Sequence, residues 1–354
     1  MLLAQLGLTP HPDFARLRAV LLRQGEPDEL PFYELFVDRE VQSALLGKPV
    51  VTAVDTIEFY YRAGYDYVPS WPDIPALAVP TRDTADTAEL QRDGGRQWAE
   101  EERGPIASWA DFAAYPWPSP RDLTFHVIEE MARHLPRGMK LIGQVGGILE
   151  QATALMGYTA FCYALADQPD LVEAIFARVG ELYTIIYEGL AARPEIGAVV
   201  ISDDMGFKTQ TLISPAALRR YVFPWHRRFA EIAHAHDKPV ILHSCGMLDQ
   251  VMDDLIDGVR IDAKHSFEDV ILPVVEAKRR YGHRIALLGG VDMDRLCRCS
   301  EAELRAYVVE IIAHNAPGGG WALGSGNTIA NYVPLRNYLA MLDEGLKWRG
   351  RQRA

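Results

Sequence analysis

His243-Ser244-Cys245 sets an imidazole and a thiol two residues apart, directly after the apolar run Pro239-Val-Ile-Leu242. In an extended strand, residues two apart point to the same face, so both side chains can meet one ligand. Histidine nitrogen and cysteine thiolate are preferred zinc ligands, and a catalytic zinc takes about three protein ligands and keeps one position open. The alternative for so short a pattern is a buried cysteine beside a hydrogen-bonded histidine. The strand end and the following Gly246 give the tripeptide its functional reading.

Two further groups of residues carry chemistry. Asp203-Asp204 follows Ala198-Val-Val-Ile201 and can bind a cation, act as a general base or cap the next helix. Ser214-Pro215 is itself a good N-cap and first-turn pair, which leaves both carboxylates free on the intervening loop. Glu150 follows Gly146-Gly147, where missing side chains let a ligand approach the backbone. Its carboxylate can complete a metal shell or stabilise the first turn of a helix. Cys297-Arg-Cys299 reads as packing or surface cysteines, and Gly318-Gly319-Gly320 precedes a strand and lacks the Lys-Ser/Thr of a phosphate loop.

The elements that position these residues alternate. Apolar runs at 65–69, 141–145, 198–201, 239–242, 259–261, 285–288 and 321–323 are each followed by a helical pattern or a long excursion. Strands alternating with helices imply a parallel sheet, because a parallel neighbour needs a crossover. Seven candidates, with polar residues after nearly every one and no Gly-x-Gly-x-x-Gly after the first, predict an α/β (β/α)8 TIM barrel rather than an open doubly wound sheet. The expected organisation is one barrel domain over 1–354. It has a helical preamble at 1–63, whose last helix runs from Val50 to Arg62, and an excursion at 72–121 packed over the barrel by Trp98, Trp109 and Trp117.

Composition narrows the function. A hydrophobic fraction of 49% and a charged fraction of 24% fit a folded globular chain. The net charge of -12 would repel a phosphate backbone, and the basic stretches Arg219-Arg220, His226-Arg227-Arg228 and Lys278-Arg279-Arg280 fall in helical patterns expected to be solvated faces. Nucleic acid is therefore not an expected partner. The N-terminal residues show no basic leader, no apolar run approaches the ~20 residues of a membrane span, and a cytoplasmic location with no membrane association is expected.

Taken in order, several segments resemble the uroporphyrinogen-decarboxylase-like superfamily: Trp109-Ala-Asp-Phe112, Tyr115-Pro-Trp-Pro118, Ser202-Asp-Asp204 with Ser214-Pro215 and Pro224 behind it, His243-Ser-Cys-Gly246, Ala286-Leu-Leu-Gly-Gly-Val-Asp292, Pro317-Gly-Gly-Gly-Trp321 and Gly324-Ser-Gly-Asn327. The resemblance covers most of the chain from about residue 50 and implies a (β/α)8 barrel with one of two chemistries. One is cofactor-free decarboxylation of a tetrapyrrole; the other is zinc-dependent methyl transfer to or from a corrinoid protein. A polycarboxylate tetrapyrrole calls for an Arg-rich pocket, and the resemblance implies closely spaced arginines ahead of the first strand in a true decarboxylase, where 31–39 offers Arg39 alone beside acidic neighbours.

The resemblance makes His243 and Cys245 metal ligands and puts Ser325 near the place of a third cysteine. A neutral hydroxyl is a poor zinc ligand, so Glu150 is the expected substitute, with Asp203 or Asp204 behind it. Asp203, Asp204 and His265 are the expected catalytic side chains; Trp71, Ser325 and Asn327 are the expected substrate-binding ones. The leading expectation is a zinc methyltransferase acting on a small methylated or thiol substrate. A corrinoid would be delivered by a separate protein, since no corrinoid-binding sequence is visible. A carboxylate decarboxylase and a non-catalytic binding barrel are the alternatives, and the resemblance also allows a homodimer.

Overall fold

Seven parallel strands stand in the order in which the chain makes them, and that single-wound order distinguishes a barrel from a doubly wound sheet, whose strand order reverses. The computed structural model describes residues 2–352 apart from 76, 78, 93 and 94. The strands of the curled sheet are β1 (Tyr67–Ser70), β4 (Lys140–Val145), β5 (Ile196–Ser202), β6 (Val240–His243), β7 (Ala263–His265), β8 (Ala286–Leu288) and β9 (Trp321–Ala322). A separate antiparallel hairpin, β2 (Thr81–Thr84) and β3 (Arg96–Ala99), lies in the excursion.

The strands are almost wholly buried and rich in Val, Ile, Leu and Ala, as expected where helices cover a parallel sheet. Each crossover carries readable stop signals. The helix Ala53–Ala63 opens with a reciprocal Thr52–Asp55 cap and closes on Gly64 at φ 85°. Ser300 and Glu303 cap Glu301–Asn315 in the same way. Between Pro215–Ala217 and Phe223–His234 the chain makes a π turn over Leu218–Val222, where Pro224 has no N–H to give to the preceding turn.

The eighth barrel position is filled from an unexpected place. Residues 31–37, inside the stretch read as a helical preamble, run extended beside the end of β9 through the parallel bridges Phe32–Leu323 and Val37–Ile329. Toward β1 this segment is joined by side chains instead of a ladder: the Tyr67 hydroxyl meets the backbone N–H and C=O of Glu34, and Gln144 Nε2 donates to the Leu35 carbonyl. The barrel is thus closed on one side by main-chain bridges and on the other by hydroxyl and amide.

Three other expectations are corrected. The fifth strand is β7 at Ala263–His265, and the apolar run 259–261 belongs to the turn before it; 254–259 is a π turn that buries Leu255, Ile256 and Val259. Trp98 and Trp109 are more than half exposed, and the excursion packs through Tyr115 and Trp117, whose rings lie 4.7 Å apart. His226 is fully buried rather than part of a solvated basic face. Arg219, Arg220, Arg279 and Arg280 do lie outside, paired with Asp254, Glu173, Glu276 and Asp249. Among the described residues, no helix is long and apolar enough to cross a membrane.

Candidate metal centre

Strand register builds the site. Ser202 pairs with His243, and His243 with His265, so the chain segments leaving β5, β6 and β7 start level. Two residues further on, Asp204 stands against Cys245, whose backbone N–H donates to Asp204 Oδ1 at 2.8 Å. Gly246 then turns at φ 82°, and any Cβ there would lie 2.2 Å from the Gly206 backbone, so only glycine lets the two loops close on each other.

Asp204, His243 and Cys245 each offer a ligand atom within 4.8 Å of the others. His243 Nε2 is 3.8 Å from Cys245 Sγ and 3.8 Å from Asp204 Oδ1. A tetrahedral zinc with ordinary bond lengths spaces a nitrogen and a sulfur about 3.6 Å apart, so the three residues fit the ion with small adjustments.

The histidine tautomer follows from its partners. Ser325 O can only accept, so His265 Nε2, 3.3 Å away, donates to it. Burial, reinforced by His243, pulls the His265 pKa well below the usual histidine range, so the ring is neutral and its Nδ1 is an acceptor. His243 Nδ1, 2.9 Å from it, must then be the donor. Burial also pulls His243 down to about 4, which leaves its Nε2 as a bare lone pair facing the carboxylate and the thiol. Cys245 is itself pushed up to about 12 by burial and by Asp204, so its thiol keeps its proton at neutral pH in the absence of a cation. Asn327 Nδ2 at 3.3 Å and Ser266 Oγ at 3.4 Å both donate to its sulfur.

The remaining expected residues divide. Glu150 stands outside the cluster: its carboxylate accepts the Gly147 N–H at the start of the helix Ile148–Met156. It faces solvent at the barrel mouth yet is hemmed by protein, and that burial, with Asp203 and Asp204, pushes it up to about 8. Asp203 is fully buried; it accepts from the N–H groups of Leu149 and Glu150 and lies 2.9 Å from His226 Nε2, capping the same helix from outside its own chain segment. His265 is buried behind His243 and orients it. Ser325 turns its hydroxyl and N–H to the buried Glu34, away from the sulfur. Trp71, half exposed against Phe36, lines a cleft of about 950 Å³ beside the end of β1 with Asp38, Arg39 and Glu40.

Gly147 serves Asp203 rather than a ligand, since a Cβ there would lie 2.0 Å from Asp203 Oδ1. Gly147→Ala is expected to cost about 2–3 kcal/mol, from overpacking and a displaced cap. Urea denaturation measures it; a loss under about 0.5 kcal/mol would show the cap to be dispensable. Sequence reading missed Glu34, His226 and Ser266, and it placed Lys264 among the polar residues after the fifth strand without giving it a role; only Lys264 and Ser266, at a strand end, carried a signal.

A parallel barrel with its polar side chains gathered at the strand ends is the arrangement in which barrel enzymes carry their active sites. The chain belongs to the uroporphyrinogen decarboxylase (URO-D) family, whose model matches residues 100–348. No curated protein matches the chain. Among solved structures, a methyltransferase from Methanosarcina mazei shares the fold over 96% of this chain and 98% of its own, with a TM-score of 0.68 and 17% identity. A β-glycosidase from Thermosphaera aggregans aligns over 84% of each chain at 12% identity and a TM-score of 0.42, too loose a likeness to bear on the site.

Proposed function

We propose that this protein is a zinc-dependent methyltransferase that moves a methyl group between a small methylated or thiol substrate and a corrinoid carried by a separate protein. The observation that carries the reading is the forced lone pair of His243 Nε2, which faces a carboxylate and a thiol at 3.8 Å with no proton of its own to share. His, Cys and Asp are a zinc donor set, and a cation that takes the place of the thiol proton would meet all three. The fold shared with a methyltransferase supports the choice of reaction.

His243, Cys245 and Asp204 would hold the ion, which supplies a Lewis acid to a thiol or ether at its open position. His265 and the Ser325 carbonyl keep the imidazole turned to the cluster. Ser266 and Asn327 donate to the sulfur and fix its direction. Trp71 and Phe36 give the cleft beside the end of β1 an aromatic wall against which a small substrate could be oriented, although none of the three ligand residues lines it. That cleft carries Asp38, Glu40, Asp73 and Glu130 against Arg39 and Arg92, and Arg92 is already paired with Asp38. A tetrapyrrole with many carboxylates is poorly matched to such a wall, which sets the decarboxylase reading second.

Protein purified without added metal is expected to contain about one zinc per chain. Because the Cys245 thiol must lose its proton to bind, zinc uptake by the chelated protein should release about one proton, read by calorimetry in buffers of different ionisation enthalpy. A chain that neither contains nor takes up zinc is a binding barrel or a metal-free enzyme, and the reading fails.

A further inference from the structure

Lys264 lies on β7 at 6% exposure, one residue before His265. Buried ammonium groups are usually paired with carboxylates, but among the described residues Lys264 has no ion pair. Its Nζ reaches three carbonyls instead: Ser244 at 3.2 Å, His265 at 3.3 Å and Ser266 at 2.6 Å, with the Phe267 ring centroid 4.5 Å away. An ammonium has three donors and no acceptor, and here all three are used.

The three carbonyls lie in the chain next to Cys245 and to its donor Ser266. Ser244 O belongs to the peptide that leads into Cys245, and the other two bracket Ser266. Ser266 stands at φ 83°, a left-handed conformation that costs a non-glycine residue of order 1 kcal/mol and persists only where its surroundings impose it. From that conformation its hydroxyl donates to Cys245 Sγ.

We propose that Lys264 is a positioning residue: by gathering these three carbonyls it holds Ser266 in the left-handed conformation and so aims the Ser266 hydroxyl at the Cys245 sulfur. Hydrogen bonds to a ligating sulfur govern how much electron density it offers, so the clasp tunes the ligand without touching the ion or substrate. The inference deepens the metal reading and depends on it for one of two readouts.

The test compares the full chain with Lys264→Met, Ser266→Gly and the double variant; glycine adopts the same φ without strain and removes the hydroxymethyl group that carries the donor. In metal-free protein at fixed pH, alkylation of Cys245 by iodoacetamide is followed on its own peptide by mass spectrometry. Ser266→Gly is expected to slow it about fivefold, the weight of one hydrogen bond to the thiolate, and Lys264→Met by at least as much. The double variant should be no slower than Lys264→Met alone. A wild-type rate in Lys264→Met, or effects that multiply in the double variant, overturns the proposal. Lys264→Gln, which keeps two donors, serves in the same cycle if the Met variant does not fold, and must show the same coupling. In cobalt(II)-loaded protein, the sulfur-to-metal charge-transfer band should shift in both single variants and no further in the double. A wild-type chain that takes up neither zinc nor cobalt sinks the metal reading, and the alkylation cycle then decides on Lys264 by itself.

Discussion

Asp204→Asn is expected to weaken zinc binding by more than about 100-fold, beyond the 10–100-fold typical of an outer partner, whereas Glu150→Gln should leave it within about threefold. Asp204 is among the groups that push Glu150 up, yet of the two acids only Asp204 offers an oxygen to the cluster with His243 and Cys245. Asparagine keeps an oxygen to accept the Cys245 N–H, so the loop is retained and the lost affinity reports the lost charged ligand. Glutamine at position 150 keeps the bond from Gly147 and hence the helix start. Competition with a chromophoric chelator measures both. Zinc lost with Glu150→Gln and kept with Asp204→Asn would reverse the assignment and restore the expectation drawn from sequence.

That expectation failed to separate the acids for a physical reason. Adjacent residues of an extended chain point to opposite sides, so Asp203 and Asp204 had to have different fates. Which one faces His243 depends on the pairing of Ser202 with His243, and register between parallel strands forty residues apart is not written in either strand. Glu150 was legible as a first-turn glutamate, three residues after Gly147, and its bond to the Gly147 N–H follows from that spacing. The absent third cysteine was legible too. What Ser325 does instead was not, because its partner Glu34 lies 291 residues earlier in a segment without regular secondary structure.

The barrel was easier to read than its exceptions. Strands such as 196–202 and 240–243 announce themselves by buried β-branched runs, and caps such as Thr52 and Ser300 by the acid three residues on. Ala263-Lys264-His265 carries no such signal, since its charged and polar members are buried by carbonyls and a second imidazole that no local pattern reveals. The run 31–37 escaped for a related reason: it has bridges where a strand has a ladder, and its closure toward β1 uses the Tyr67 hydroxyl, a side-chain contact with no periodicity.

That closing segment carries the second large effect, because it places Glu34 in the interior, where among the described residues it has no basic partner. Its carboxyl meets the N–H of Ser325 at 2.7 Å and the Ser325 hydroxyl, and burial pushes its pKa up to about 8 despite both bonds. A folded-state pKa above the unfolded value means that the native chain binds the extra proton. The associated stability is therefore fully present below about pH 4.5 and is lost as pH rises through about 8. Glu34→Gln keeps an oxygen for the N–H and supplies an amide donor for the hydroxyl, with no proton to lose. Relative to the wild type, the variant should gain stability steadily from pH 5 to 8, by about 3–5 kcal/mol at the upper end at 1.4 kcal/mol per pKa unit. Denaturation of both proteins across that range reads the difference and cancels Glu150, which titrates in the same window and is unchanged between them. A difference that stays constant with pH would mean that Glu34 is ionised in the folded chain and that the barrel seam holds a buried negative charge, compensated by the two Ser325 bonds alone.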